Sequence, residues 1–278
     1  MSAGRSSRPH LGTRFASRDR QCPAPAQRSP RQNQLLAALP VQEYEHLLPN
    51  LEPVALPLGW TVHGAGDRQK YLHFLTEGVV SRLNVTRNGA STEFALTGRE
   101  GVIGVASFLG GESMPSEALV LSAGYGYRLN SNVLADEFRH DGLLPRLLLR
   151  YTQALITQTG QIAACNRLHS VDQQVCRWIL SFLDRSSCTE LTVTQETLAG
   201  LLGVRRESVT EAAGKLQEAG LIHCSRGHIA VLDRRRLEAR VCECYAVVKR
   251  EYRRLLQPED IGDDAGVHGG CRQSRTFA

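Results

Sequence analysis

The chain is poor in the largest side chains. It has two methionines and two tryptophans in 278 residues, and aromatics are 6% of the total. A core must be built from aliphatics, which the 42% hydrophobic share can supply. No apolar run approaches the roughly 20 residues that span a bilayer. The first thirty residues lack the apolar stretch of a secretory signal. No membrane partner is expected, and the expected location is cytoplasmic. The eight cysteines are scattered at 22, 165, 176, 188, 224, 242, 244 and 271. Several fall inside helical patterns, where a reduced thiol acts as a small hydrophobe, so a disulfide framework is not expected. A glycine-rich phosphate loop, HExxH and GxSxG are all missing, which argues against an enzyme. An acidic excess is missing too: 33 basic against 28 acidic residues give +5 and a pI near 8.9, a balance that permits nucleic acid as a partner.

What the sequence does contain is concentrated at residues 194–231, TQETLAGLLGVRRESVTEAAGKLQEAGLIHCSRGHIAV. Thr194 can cap a first helix. Leu198, Leu202, Val209, Ala212 and Leu216 fall inward at helical spacing. Ala199 sits where two helices pass closest, and Gly203 marks a sharp turn. These features predict a helix-turn-helix whose second helix can lie in a major groove. That helix opens with Arg205, Arg206, Glu207 and Ser208. Arginine can fork onto guanine, glutamate can accept from cytosine, and serine can reach a phosphate. Thr194, Gln195, Thr210, Glu211 and Lys215 complete the expected DNA-facing set. Arg226 joins them from a β-hairpin wing made by Leu221-Ile222, a Ser225-to-His228 turn and Ile229-to-Val231.

The rest of the chain divides by periodicity. Residues 1–32 are basic, with seven arginines against Asp19, and should be disordered. Residues 33–51 read as short helices broken at Pro40. Over 52–129 the period becomes two, with strands at 54–62, 71–77, 79–86, 91–96, 118–123 and 125–129 and an Asn88-Gly89 hairpin signal. Many short strands imply a β-roll of jelly-roll type within 33–140. After a break at Asp141-Gly142, the residues Leu144, Leu148, Tyr151, Leu155, Gln158, Ile162 and Cys165 repeat in alternating steps of four and three. This pattern predicts a dimerisation helix over 141–168, with Gln158 fixing its register. An amphipathic helix at 170–184 leads into the winged helix, and Leu237 to Leu255 mark a C-terminal helix with a basic outer face, so 169–256 forms the DNA-binding domain. Residues 257–278 are glycine-rich and expected to be flexible.

The order β-roll, long helix, winged helix resembles the Crp/Fnr family of bacterial transcription regulators, over roughly 35–256. GVRRESVTEAAGKLQEAGLI resembles the family's recognition-helix signature, and SVDQQVCRWILSFL the helix before it. PLGWTVHGAGD, YLHFLTEGVV and GVIGVASFLGG carry the weaker β-roll resemblance. The resemblance implies an α+β fold and base reading by Arg206 and Glu207. It also implies a departure at Glu211, where the family usually has a third base-reading arginine. Cyclic-nucleotide-binding members hold the ribose with a glutamate, where this chain has Val105, and the phosphate with an Arg-Ser pair, where it has Pro115-Ser116. Valine cannot accept from a 2′-hydroxyl and proline cannot neutralise a phosphate, so no tight cyclic-nucleotide binding is expected. Only Cys22 lies near the N-terminus, too few for an iron–sulfur centre. His63 and His73 are isolated strand histidines, so haem is not expected. On a continuous helix Cys242 and Cys244 would point about 200° apart, a poor clamp. No metal and no cofactor is therefore expected.

The leading reading is a homodimeric, sequence-specific regulator of transcription that binds an inverted repeat in double-stranded DNA and works with RNA polymerase. The β-roll would be a degenerate sensor, and the sequence names no effector. A small-molecule-responsive module acting through the β-roll is one alternative. A thiol redox switch with Cys165 or Cys176 as sensor is another.

Overall fold

The computed structural model describes residues 29–140, 142–186, 188 and 190–256. The expected tails therefore lie outside the described residues, apart from 29–32. There, Pro30–Gln32 form a 3-10 turn with Pro30 buried, rather than a continuation of a tail. Two short helices follow, α1 (Gln34–Ala37) and α2 (Val41–Leu47). Asn33 is wholly buried. Its side-chain oxygen caps α1, and its amide donates to the carbonyls of Leu75 and Gly101, which fixes this segment to the sheet.

The sheet contains β1 (Glu52–Leu56), β2 (Thr61–His63), β3 (Tyr71–Val85), β4 (Ser91–Thr97), β5 (Val102–Ile103) and β6 (Glu117–Asn130). It is antiparallel with order β1-β6-β3-β4. β2 also pairs with β6, and β5 with β3. The periodicity divides 71–86 and 118–129 into two strands each, but the structure has one long strand in each place. Gly78 and Gly124 look like stops in sequence. In the fold they lie opposite one another, where the β3–β6 register shifts, and they bend the pair instead of ending it. A Cβ on Gly124 would lie 2.1 Å from the Glu77 carbonyl oxygen, so only glycine fits. The expected strand at 54–62 is likewise two strands, β1 and β2, separated by a turn.

Two small helices, α3 (Ala106–Leu109) and α4 (Ser131–Glu137), flank β6, and the 26-residue α5 (Leu143–Leu168) follows. α6 (Val171–Leu183) opens on a capping box in which Ser170 and Gln173 satisfy each other's backbone N–H. Beyond it come β7 (Glu190–Thr192), α7 (Gln195–Leu202), α8 (Arg206–Glu218), β8 (Ile222–Ser225), β9 (His228–Val231), α9 (Arg234–Arg240) and α10 (Glu243–Leu256). The expected single C-terminal helix is broken at Val241-Cys242 into α9 and α10. α10 then folds back along α5.

This return corrects the dimerisation expectation. Leu144, Leu148, Tyr151, Leu155, Gln158, Ile162 and Cys165 are all buried within the chain itself. Tyr151 sits against Thr97 and the Val102 carbonyl of the sheet. Gln158 donates to the Leu96 carbonyl and accepts from Tyr252 of α10 at 2.8 Å, so its polarity serves an internal network rather than a coiled-coil register. The seven are the inner stripe of α5, and α10 and the β-roll take it. The outer face carries a separate sparse stripe, Leu149, Ile156 and Ala163 at heptad spacing, with Leu149 54% and Ile156 67% exposed.

The winged-helix elements also share a core with the sheet. Trp178, Ile179 and Phe182 of α6, with Leu198, Leu201 and Leu202 of α7, pack in one cluster with Val79, Leu83, Leu96, Leu119 and Leu121. A partly buried ion pair, Arg185 to Glu100 at 2.6 Å, ties the end of α6 to the loop after β4. No described helix is long and apolar enough to cross a membrane.

Candidate nucleic-acid interface

The helix pair α7–α8 forms as its sequence dictates. The Thr194 hydroxyl accepts from the Thr197 N–H at 3.1 Å and starts α7. Gly203 ends it at φ +69°, a left-handed conformation that costs glycine little. The Val204 N–H then reaches the Ala199 carbonyl and closes the turn. Leu198, Ala199, Leu202, Val209, Ala212 and Leu216 are all buried, as their spacing predicts. Side chains on the opposite face of α8 have nothing to pack against. Arg205, Arg206, Glu207, Thr210, Glu211 and Lys215 are exposed, and Ser208 is half-buried.

These side chains are positioned by one another. The Thr210 hydroxyl donates to Gln195 Oε1 at 2.7 Å, which links the recognition helix to the start of α7. Arg206 Nε lies 4.0 Å from the Glu196 carboxylate. Lys215 donates to Glu211 at 2.8 Å, one helical turn away, and this bond holds the Glu211 carboxyl below its ordinary range. Glu211 therefore presents an ionised, partly neutralised acid where the family resemblance implies an arginine.

The wing is β8–β9, with Ser225 paired to His228 across a two-residue loop. Arg226 (φ 41°) and Gly227 (φ 83°) are both left-handed, which makes the loop a type I′ turn. An arginine in that conformation costs on the order of 1 kcal/mol or more. The fold accepts it, and the result is a guanidinium at the tip of the wing. Thr194, Gln195, Arg206 and Arg226 line one groove between the start of α7 and the wing. Glu196, Ser225 and His228 line it as well; the sequence reading missed these three. Glu196 directly follows Thr194 and Gln195 in the TQET cap, and its acidic side chain gave no signal for a DNA-facing position. α9 follows, with Arg235 and Arg236 exposed and Arg234 bound to Asp184 and Glu238.

The Crp-like helix-turn-helix domain family matches residues 173–240. The chain therefore carries a Crp-like helix-turn-helix domain. Its fold is that of several solved regulators. FixK2 from Bradyrhizobium japonicum superposes with a TM-score of 0.60 at 15% identity, over 69% of this chain and 98% of that one. A Crp/Fnr-family regulator from Eubacterium rectale gives 0.60 at 17% identity, over 74% and 96%. The c-di-GMP-responsive global regulator CLP of Xanthomonas campestris gives 0.58 at 17% identity, over 70% and 100%. No curated protein matches the sequence.

In the β-roll, Gly104 has φ +109° and Val105 is buried in an apolar cluster with Leu72, Phe74 and Leu129. Ser116 is buried as well. Burial pushes the His73 imidazole down to about 4, and burial also lowers His63, whose ring meets the Gln69 amide at 3.3 Å.

The structure corrects two readings of the cysteines. A redox sensor needs an accessible, low-pKa thiolate. Burial pushes the Cys176 thiol up to about 12. Cys165 is held below its ordinary value, chiefly by its hydrogen bond with Cys242, yet it is wholly inaccessible. Cys242 and Cys244 are not on one continuous helix. Cys242 lies in the link before α10, and both side chains are buried in a cluster with Cys165.

Proposed function

We propose that this regulator is a homodimer that reads an inverted repeat through two copies of α8, and that its β-roll does not bind cyclic nucleotides. The observation that carries the reading is the exposed row Arg205, Arg206, Glu207, Thr210 and Glu211 beside an arginine-tipped wing. A row at the start of a helix can enter a major groove, and the wing can meet the flanking backbone. Arg206 and Glu207 are the base readers. Gln195, Thr194, Lys215 and Arg226 position the domain on phosphates. Glu211 shifts the preferred half-site away from one that needs a third arginine. The dimer face is the outer stripe of α5, Leu149, Ile156 and Ala163, since the inner stripe is already covered. Two such helices side by side would set the recognition helices about one DNA turn apart, roughly 34 Å. Work with RNA polymerase at a promoter belongs to the same reading.

Equilibrium binding to a selected site and to random DNA tests it. Arg206→Ala should cost about 1–3 kcal/mol on the selected site and relax one base position. Equal loss on both DNAs would make Arg206 a phosphate contact and remove it from base reading.

A further inference from the structure

Four side chains outside the DNA-facing surface meet where α5 ends and α10 begins. Cys165 and His169 lie one turn apart at the C-terminal end of α5. Cys242 comes from the α9–α10 link and Cys244 from the first turn of α10. One ligand atom from each lies within 4.8 Å of all the others. Cys165 Sγ is 3.6 Å from Cys242 Sγ, and Cys244 Sγ is 3.6 Å from His169 Nδ1. The three cysteines are buried.

We propose that Cys165, His169, Cys242 and Cys244 form a tetrahedral Cys₃His site for a single zinc ion, which clamps the end of α5 to the winged-helix elements. Three thiolates and one imidazole are a donor set of structural zinc sites. The dimensions fit one ion. Bonds to zinc of about 2.3 Å from sulfur and about 2.0 Å from nitrogen in a tetrahedron place two sulfurs about 3.8 Å apart and a sulfur and a nitrogen about 3.5 Å apart, close to the 3.6 Å of Cys165–Cys242 and of Cys244–His169. A disulfide would need about 2.05 Å, and a cluster of several irons would hold its ligands farther apart.

The surroundings fit as well. Three thiolates around one divalent cation leave a net charge of −1. The buried Arg177 side chain donates from Nε to Cys165 Sγ at 3.2 Å and supplies the balancing positive charge. His169 turns Nδ1 to the cysteines while Nε2 lies 3.3 Å from the Glu243 carboxylate, a contact that holds a ligating imidazole in one orientation. Gln174 donates to the His169 carbonyl at 3.0 Å and steadies the α5–α6 link. On loading, three thiols pass their protons to solvent as three zinc–sulfur bonds form, and neutral His169 gives the fourth bond. The link His169-Ser170 joins α5 to α6, and Cys242 and Cys244 lie on the far side of the winged helix. An ion there fixes how α8 is carried relative to α5. This last consequence rests on the DNA-binding reading above; the site itself does not.

The test is metal analysis of the full chain, with cobalt(II) exchanged for zinc. The expected result is about one zinc per chain and a cobalt form with thiolate charge transfer and the intense visible bands of tetrahedral cobalt. Cys242→Ser and Cys244→Ser should each lose the ion, and Cys188→Ser, at an exposed thiol, should keep it. Glu243→Gln should weaken zinc about 10- to 100-fold. Should the serine variants fail to fold, the cobalt spectrum of the unaltered chain decides alone. A cobalt form without thiolate charge transfer, zinc retained by the double serine variant, or a Cys165–Cys242 disulfide in reduced preparations would overturn the site. One zinc per chain with DNA affinity unchanged on its removal would overturn only the clamp's control of DNA binding.

Discussion

Glu93 should make this protein less stable as pH rises through neutrality. It lies on β4, is 3% exposed, and faces Arg177 and Trp178 of α6. Burial pushes its carboxyl from 4.5 up to about 7, against the opposing pull of the Ser81 hydroxyl, which donates at 2.6 Å, and the Arg177 charge. Below 4.5 the folded and unfolded chains both hold the proton and nothing is lost. Between 4.5 and about 7 the unfolded chain releases it while the folded chain keeps it, so stability falls with pH; above 7 the loss is complete. At 1.36 kcal/mol per pH unit the full loss is about 3 kcal/mol, of which roughly 2–3 kcal/mol falls between pH 5 and 8. Glu93→Gln keeps the shape and an acceptor for Ser81 but cannot ionise. Urea unfolding of both proteins across this range should show the variant gaining ~2–3 kcal/mol on the parent from pH 5 to pH 8. Two parallel pH profiles would refute the reasoning.

Three further outcomes are expected. Ile156→Glu places a charge on the outer stripe of α5 and should give a folded monomer by sedimentation, whereas a persistent dimer would move the interface elsewhere. Tyr252→Phe strips the partner from the buried Gln158 Oε1 and should lower unfolding free energy by about 1–3 kcal/mol; no change would mean that this network carries no stability. Titration calorimetry with cyclic AMP or cyclic GMP should show no micromolar binding, because Val105 and Pro115 offer neither a ribose acceptor nor a phosphate cation; heat at micromolar ligand would contradict this.

The helix-turn-helix was legible because its constraints are local. Thr194, Ala199 and Gly203 each satisfy a backbone requirement within a few residues, and the apolar offsets from Leu198 to Leu216 follow one period. The β-roll was legible in kind but not in strand count. A glycine that bends two paired strands reads in sequence like one that ends them, and only the facing of Gly78 and Gly124 tells the difference. α5 was legible as a helix, but its inner stripe was assigned to the wrong partner. Periodicity shows that Leu144 to Cys165 must be covered; it does not say by what, and α10 lies about a hundred residues away in sequence. The Cys₃His cluster was hidden for the same reason, since Cys165 and Cys242 are 77 residues apart. The break at Val241-Cys242, which lets Cys242 and Cys244 converge, lies inside a stretch whose periodicity looks unbroken.

Sequence-specific DNA recognition by a dimer is open to one decisive measurement. Selection of bound DNA from a random pool, with purified full chain near physiological salt, tests it most directly. The expected product is an inverted repeat whose half-site centres lie about one turn, roughly 10 base pairs, apart, with Arg206→Ala losing preference at one symmetric position. Recovery of a lone, unrepeated site, or of no enriched sequence with and without cell extract, would contradict it.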